Sequence, residues 1–248
     1  MERWSEKIAV VTGASSGIGA SVVEHLVGKG MMVFGFARRL SCLDDVADRV
    51  KNMDGLFYGK RVNMAETEDI KNAFNEIEQQ VGPVQVLVNC AGTFAETSLC
   101  DGNVQKWRNT FEINVIGLCT ATREAVAQMK GHSLDGHIIH MNCYSGHTPL
   151  DLVGENVYPA SKYAVTALTN SWRYELQELG TKIKVTSISP SFVKNTKIAK
   201  ASGIRPSVVN TLTPKDVSEA VLYVLGTPPH VQVHELILRT VGCNDVKS

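Results

Sequence analysis

Short runs of β-branched and other apolar residues recur near 7–11, 31–36, 55–60, 84–88, 136–142, 183–189 and 233–238, and helical periodicity fills most of the intervals. Runs this short, alternating with helices, fit strands buried on both faces, because each crossover helix must return over the sheet before the next parallel strand can align. The pattern predicts an α/β fold, a doubly wound parallel sheet with helices on both faces. No low-complexity linker, charge block or repeat interrupts it, so residues 1–248 read as one domain. The segment from about 191 to 213 is different: it is rich in Ser, Asn and Lys, contains Gly203, Arg205-Pro206 and Thr213-Pro214, and has weak periodicity. It reads as a loop or short helices covering a site.

Composition narrows the function classes. With 44% hydrophobic and 20% charged residues the chain can supply a sizeable core. Lys plus Arg equal Asp plus Glu at 25 each, which leaves no net positive field to recruit nucleic acid or anionic lipid. No apolar stretch approaches the roughly 20 residues of a membrane span, and the run Ile8 to Val11 is too short for a signal sequence, so a cytoplasmic location is expected. The cysteines at 42, 90, 100, 119, 143 and 243 have no C-x-x-C spacing and are expected to be reduced thiols. With seven histidines but no H-E-x-x-H pattern, no metal site is expected.

Three motifs carry chemistry. Thr12-Gly13-Ala14-Ser15-Ser16-Gly17-Ile18-Gly19 follows the first strand and opens the first helix, the context in which glycines admit a pyrophosphate to free helix N–H groups. A P-loop would need Gly-Lys-Ser/Thr, and Gly19-Ala20-Ser21 lacks the lysine. The second strand ends in Ala37-Arg38-Arg39, where an NAD-selective protein would place an acid for the ribose 2′-hydroxyl. Guanidinium groups suit a 2′-phosphate, so NADP(H) is favoured; the competing reading is a solvated pair at a helix start. Tyr158-Pro159-Ala160-Ser161-Lys162 sets a phenol and an ammonium at i and i+4 on one helix face. A nearby ammonium lowers a phenol pKa from about 10 toward working pH, which equips Tyr158 to exchange the proton that accompanies hydride transfer. The same helix carries the small residues Ala160, Ala164, Ala167 and Ser171, a stripe that permits close helix packing.

In combination these motifs resemble the short-chain dehydrogenase/reductase family. Asn89-Cys90-Ala91-Gly92 after the fourth strand and Asn114 in Phe111-Glu112-Ile113-Asn114-Val115 add to the likeness, which runs from Ile8 to about Leu238. Met1-Glu2-Arg3-Trp4 and the stretch 227–236 are similar to the insect farnesol and antennal dehydrogenases. The resemblance implies a Rossmann-type NADP(H)-dependent enzyme acting on CH–OH groups. By that likeness Gly13, Ser15, Ser16, Gly17, Ile18, Gly19, Arg38, Arg39, Asn63, Asn89, Ala91, Gly92, Pro190, Val193 and Thr196 are cofactor positions, along with Tyr158 and Lys162. Asn114 would hold a water near Lys162, Lys162 the nicotinamide ribose, and a serine the substrate oxygen. Homodimers or homotetramers would form through long helices, here about 103–130 and 157–179.

Several positions depart from the family pattern. Counting back from Gly146, the serine position falls on Cys143, and a thiol is a weaker donor to a developing oxyanion. Ser145 lies two residues on, with the same face parity if the strand extends that far, and is a candidate to substitute in part. Asn63 stands where the family has Asp to meet the adenine amino group, Cys90 replaces a second Asn, Ser191 replaces a Gly, and Asn195 and Thr196 compete for the threonine that holds the nicotinamide amide. Ser191 is tolerable if its φ is negative. Phe94, Leu150, Leu152, Val153 and Phe192 supply apolar candidates for a substrate wall, with Cys143 and Ser145 beside them. The expected substrate is a small apolar alcohol or carbonyl compound, isoprenoid, retinoid-like or steroid-like. The alternative is a catalytically weak member that binds NADP(H) or a small hydrophobic ligand.

Overall fold

The computed structural model describes residues 1–148, 157–202 and 211–242. Among the described residues seven strands form one sheet: β1 (Ile8–Thr12), β2 (Met32–Ala37), β3 (Leu56–Arg61), β4 (Val86–Asn89), β5 (His137–Met141), β6 (Lys184–Pro190) and β7 (Glu235–Leu238). Their order is β3-β2-β1-β4-β5-β6-β7, and every pairing is parallel. All seven predicted strands are present, each within two residues of its expected start. The sheet is doubly wound, and its order reverses between β1 and β4, which opens a crevice at their carboxyl ends where ligands bind in such folds.

The helices are α1 (Gly17–Val27), α2 (Ser41–Val50), α3 (Thr67–Gln80), α4 (Val104–Phe111), α5 (Leu118–Gly131), α6 (Val157–Glu178), α7 (Lys197–Ser202) and α8 (Pro214–Gly226). Strand periodicity sorts β1 onto two cores. Ala9 and Val11 pack with α1, α2 and α8 on one face, and Ile8 and Val10 pack with α3, α5 and α6 on the other. Both sets are almost wholly buried, as the continuous apolar runs require of a sheet covered on both sides.

Two details depart from expectation. The predicted helix over 103–130 is interrupted by a wide π turn at Glu112–Gly117, between α4 and α5. Such turns concentrate at functional sites, and this one carries Asn114. The stripe on α6 does not pack within the chain: Ala160, Ala167 and Ser171 are exposed, whereas Ser161, Val165, Thr169 and Leu176 face inward. The short α7 falls inside the segment expected to cover the site. Leu150, Leu152, Val153, Cys243 and the middle of that segment, 203–210, lie outside the described residues. No helix among the described residues is long and apolar enough to cross a membrane.

Candidate active site

A cleft of about 270 Å³ opens at the sheet crevice. Its floor is the glycine turn. Gly13 has φ +68°, a left-handed conformation, and a Cβ there would lie 2.8 Å from the Ala91 Cα. A Cβ on Gly19 would collide with the Gly13 carbonyl. The Ala91 amide donates to Thr12 Oγ1 at 3.0 Å, which ties the start of the turn to the end of β4. At the head of α1, Ser16 makes no side-chain cap, and no acid occupies the first turn. The contrasting case is α8, where Thr213 and Asp216 cap each other reciprocally. An uncapped helix start over a glycine floor leaves N–H groups for an anion.

The cleft brings together Gly13, Ser15, Ser16, Gly17, Ile18, Gly19, Arg38, Arg39, Asn63, Ala91, Gly92, Phe94 and Thr196 from the expected set. Val62, Met64 and Ile113 add apolar walls near Asn63. The Asn63 Oδ1 accepts from the Ala65 amide at 3.3 Å, so part of its acceptor capacity is engaged locally. Thr196 rests against the turn, its Cγ2 3.3 Å from where a Gly17 Cβ would lie, and it caps α7 by accepting from the Ala199 amide at 3.0 Å. Asn195 is exposed at φ +61°, so Thr196 is the residue presented to the cleft. Ser191 is not among the residues of positive φ, and the serine carries no left-handed strain.

Other expected positions lie elsewhere. Asn89 is buried, and its amide donates to Thr122 Oγ1 at 3.0 Å, bracing β4 against α5 behind the cleft. Val193 is buried in the core with α1 and α8, and Pro190 closes β6. Phe192 is half-buried and is not part of the cleft wall.

The catalytic candidates form an inner group joined to the cleft through Phe94. The Phe94 ring meets that of Tyr158 edge-on, 5.6 Å between centroids. Lys162 Nζ is 5.7 Å from the Tyr158 ring centroid and donates to the Met141 carbonyl at 2.9 Å, at the end of β5. With Lys162 only 4% exposed, burial lowers its pKa from the ordinary lysine value, and the nearby Cys143 and Cys90 sulfurs pull the other way. The Cys90 thiol is pushed up to about 12 by burial, against the pull of Lys162. Asn114 donates from Nδ2 to the Thr93 carbonyl (3.0 Å) and to Ser161 Oγ (3.1 Å), and its Oδ1 accepts from the Thr93 amide (2.8 Å). Its side chain thus locks the loop after β4 to the helix that carries the Tyr-Lys pair.

The strand does not extend to Ser145. β5 ends at Met141, and Tyr144–Gly146 form a 3-10 turn, so face parity does not apply. Ser145 is instead fully buried and donates its hydroxyl to Cys143 Sγ at 3.1 Å. The more accessible of the two is Cys143, and the five described cysteines are free thiols.

Behind this group lies a buried polar chain that sequence reasoning missed. His140 sits between Thr122 Oγ1 (Nε2, 3.1 Å) and Thr169 Oγ1 (Nδ1, 2.8 Å), linking β5 to α5 and α6. Burial lowers the His140 pKa to about 3, with Arg173 and Lys162 adding to the effect. Lys197 on the cleft wall was missed too; its only signal was a cation directly after Thr196. The donor set suits a dinucleotide: a glycine floor that side chains would fill, free helix N–H groups, and cations where the second strand ends.

The chain is similar to known proteins along most of its length. The family model described as short chain dehydrogenase matches residues 7–206. Farnesol dehydrogenase of Aedes aegypti is 45% identical over 244 residues, covering 98% of this chain and 99% of that protein. Dehydrogenase/reductase SDR family member 11 of Homo sapiens is 39% identical over 249 residues, covering 96% of each. Among solved structures, the closed form of serine dehydrogenase complexed with NADP+ superposes with a TM-score of 0.83 at 26% identity, covering 97% of this chain and 100% of that one.

Proposed function

The chain belongs to the short chain dehydrogenase family of oxidoreductases, and from that premise we propose that it interconverts an apolar alcohol and its aldehyde or ketone with NADP(H), using Tyr158 as acid and base. The observation that carries the proposal is the buried Lys162 ammonium beside the Tyr158 ring, next to a cleft with a glycine floor and Arg38 on its wall. Bound NADP(H) would supply or accept a hydride. Gly13 to Gly19 would receive its pyrophosphate, Arg38 and Arg39 its 2′-phosphate, and Thr196 its amide end. In the reducing direction Tyr158 delivers a proton to the substrate oxygen as negative charge grows there. Lys162 stabilises the phenolate left behind, and Asn114 holds the loop and helix in register. Cys143 faces the substrate oxygen: its sulfur accepts from Ser145, which leaves its own S–H to donate. The exposed Ala160, Ala167 and Ser171 face suits a homo-oligomer built on α6, and a cytoplasmic location fits the reading.

The thiol favours a second reading, a slow family member that binds NADP(H) or a small hydrophobic ligand, because a sulfur donor stabilises an oxyanion less than a hydroxyl does. Following NADPH oxidation with farnesal, retinal and steroid ketones separates the two. Turnover of any of them supports the enzyme; NADPH binding without turnover on the whole panel supports the binder.

A further inference from the structure

Arg38 and Arg39 follow β2, and Lys197 begins α7, far away in sequence, yet all three line one cleft. Thr196, the residue before Lys197, rests on the glycine turn at Gly17, which fixes the start of α7 over the cofactor half of the cleft. Lys197 feels the two guanidinium groups: its pKa is lowered, first by the partial loss of water around its exposed side chain and then by Arg39 and Arg38, with Cys42 opposing. Among the described residues no carboxylate forms an ion pair with any of the three, although the chain holds as many acids as bases. The Ser15 and Ser16 turn already offers uncharged donors for a pyrophosphate, so the concentration of like charge marks a separate anion position.

We infer that Lys197 supplies a third cation to the 2′-phosphate of bound NADP(H), so that this phosphate ties α7 to the end of β2. The inference rests on the proposed role of Arg38 and adds to it: α7 would be anchored by NADP(H) but not by NAD(H). All three side chains are exposed, so each contact is screened and modest, and the coupling comes from one dianion meeting cations on two elements.

The test is calorimetric titration of the full chain with adenosine 2′,5′-bisphosphate and with adenosine 5′-monophosphate, which lacks the second phosphate. Lys197→Ala should weaken the bisphosphate about three- to tenfold and leave the monophosphate unchanged, while Lys197→Arg should restore most of the loss. Amide exchange over Lys197–Ser202 should slow more with the bisphosphate than with the monophosphate. Equal weakening of both ligands would place Lys197 at the 5′-phosphate and overturn the inference, as would no weakening of either. If Arg38→Ala removes discrimination and Lys197→Ala keeps it, the inference falls and the role of Arg38 stands. If the unaltered protein binds both ligands equally, the NADP(H) reading itself falls.

Discussion

At the β2 end of the cleft the charges of Arg38, Arg39 and Lys197 are exposed, whereas at the α6 end the Lys162 ammonium is buried and bonded to a strand carbonyl. The first arrangement leaves the ligand to complete the electrostatics. The second meets part of its electrostatics within the protein, through the Met141 carbonyl. Under the proposed function, affinity and cofactor choice would therefore belong to groups that salt can screen, and proton transfer to groups that it barely reaches. Substitutions at the two ends should separate accordingly, in turnover at one and in cofactor binding at the other.

The largest effect is expected at the inner end. Tyr158→Phe preserves shape but has no proton to transfer, and turnover should fall about 10²- to 10⁴-fold with NADPH affinity nearly unchanged. Lys162→Ala is the expected exception to that separation: it should reduce turnover comparably and weaken NADPH as well, because its ammonium is proposed to serve both phenol and ribose. Single-turnover rates and fluorescence titration of NADPH separate these outcomes.

Acid should act next, on the two buried histidines of β5. His137 and His140 are held neutral in the fold with pKa values of about 3, chiefly by burial, against 6.5 when exposed. Below pH 6.5 the unfolded chain takes up protons that the folded chain refuses, so stability falls as pH drops from 6.5 toward 3. Between pH 6.5 and 5 the loss should approach about 2 kcal/mol for each histidine. Urea midpoints that do not move over that range would contradict the buried neutral assignment.

Smaller effects are expected where one contact is weakened. Arg38→Ala should raise the NADPH dissociation constant about tenfold to a hundredfold and leave NADH nearly unchanged, and added salt should narrow the difference. Equal loss for both cofactors would remove Arg38 from the 2′-phosphate. Cys143→Ser should raise turnover about tenfold without changing NADPH affinity, because a stronger oxyanion donor acts mainly in the transition state. If Cys143→Ser is neutral while Ser145→Ala abolishes turnover, Ser145 is the working donor.

The same contrast explains what could be read before the fold was seen. Strands buried on both faces announce themselves as apolar runs, and the glycine turn and the Tyr158-Lys162 pair are local in sequence, so their placement followed from spacing. The π turn at Glu112–Gly117 has no such local signature. Likewise, nothing in the sequence joins Lys197 to Arg38, or His140 to Thr169, because those neighbours meet only when separate elements pack together. Asn89 shows the converse: the motif gave its position along the chain but not that its side chain turns inward to Thr122. Counting back from Gly146 singles out Cys143, but only the folded 3-10 turn shows Ser145 donating to its sulfur.

The central claim, hydride exchange with NADP(H) under proton transfer by Tyr158, is tested most directly by following NADPH loss and alcohol formation together. The assay uses one apolar carbonyl substrate, with the unaltered chain and with Tyr158→Phe. The account predicts one alcohol formed per NADPH oxidised by the unaltered chain, and almost none by Tyr158→Phe despite normal NADPH binding. Equal turnover by both proteins would contradict it.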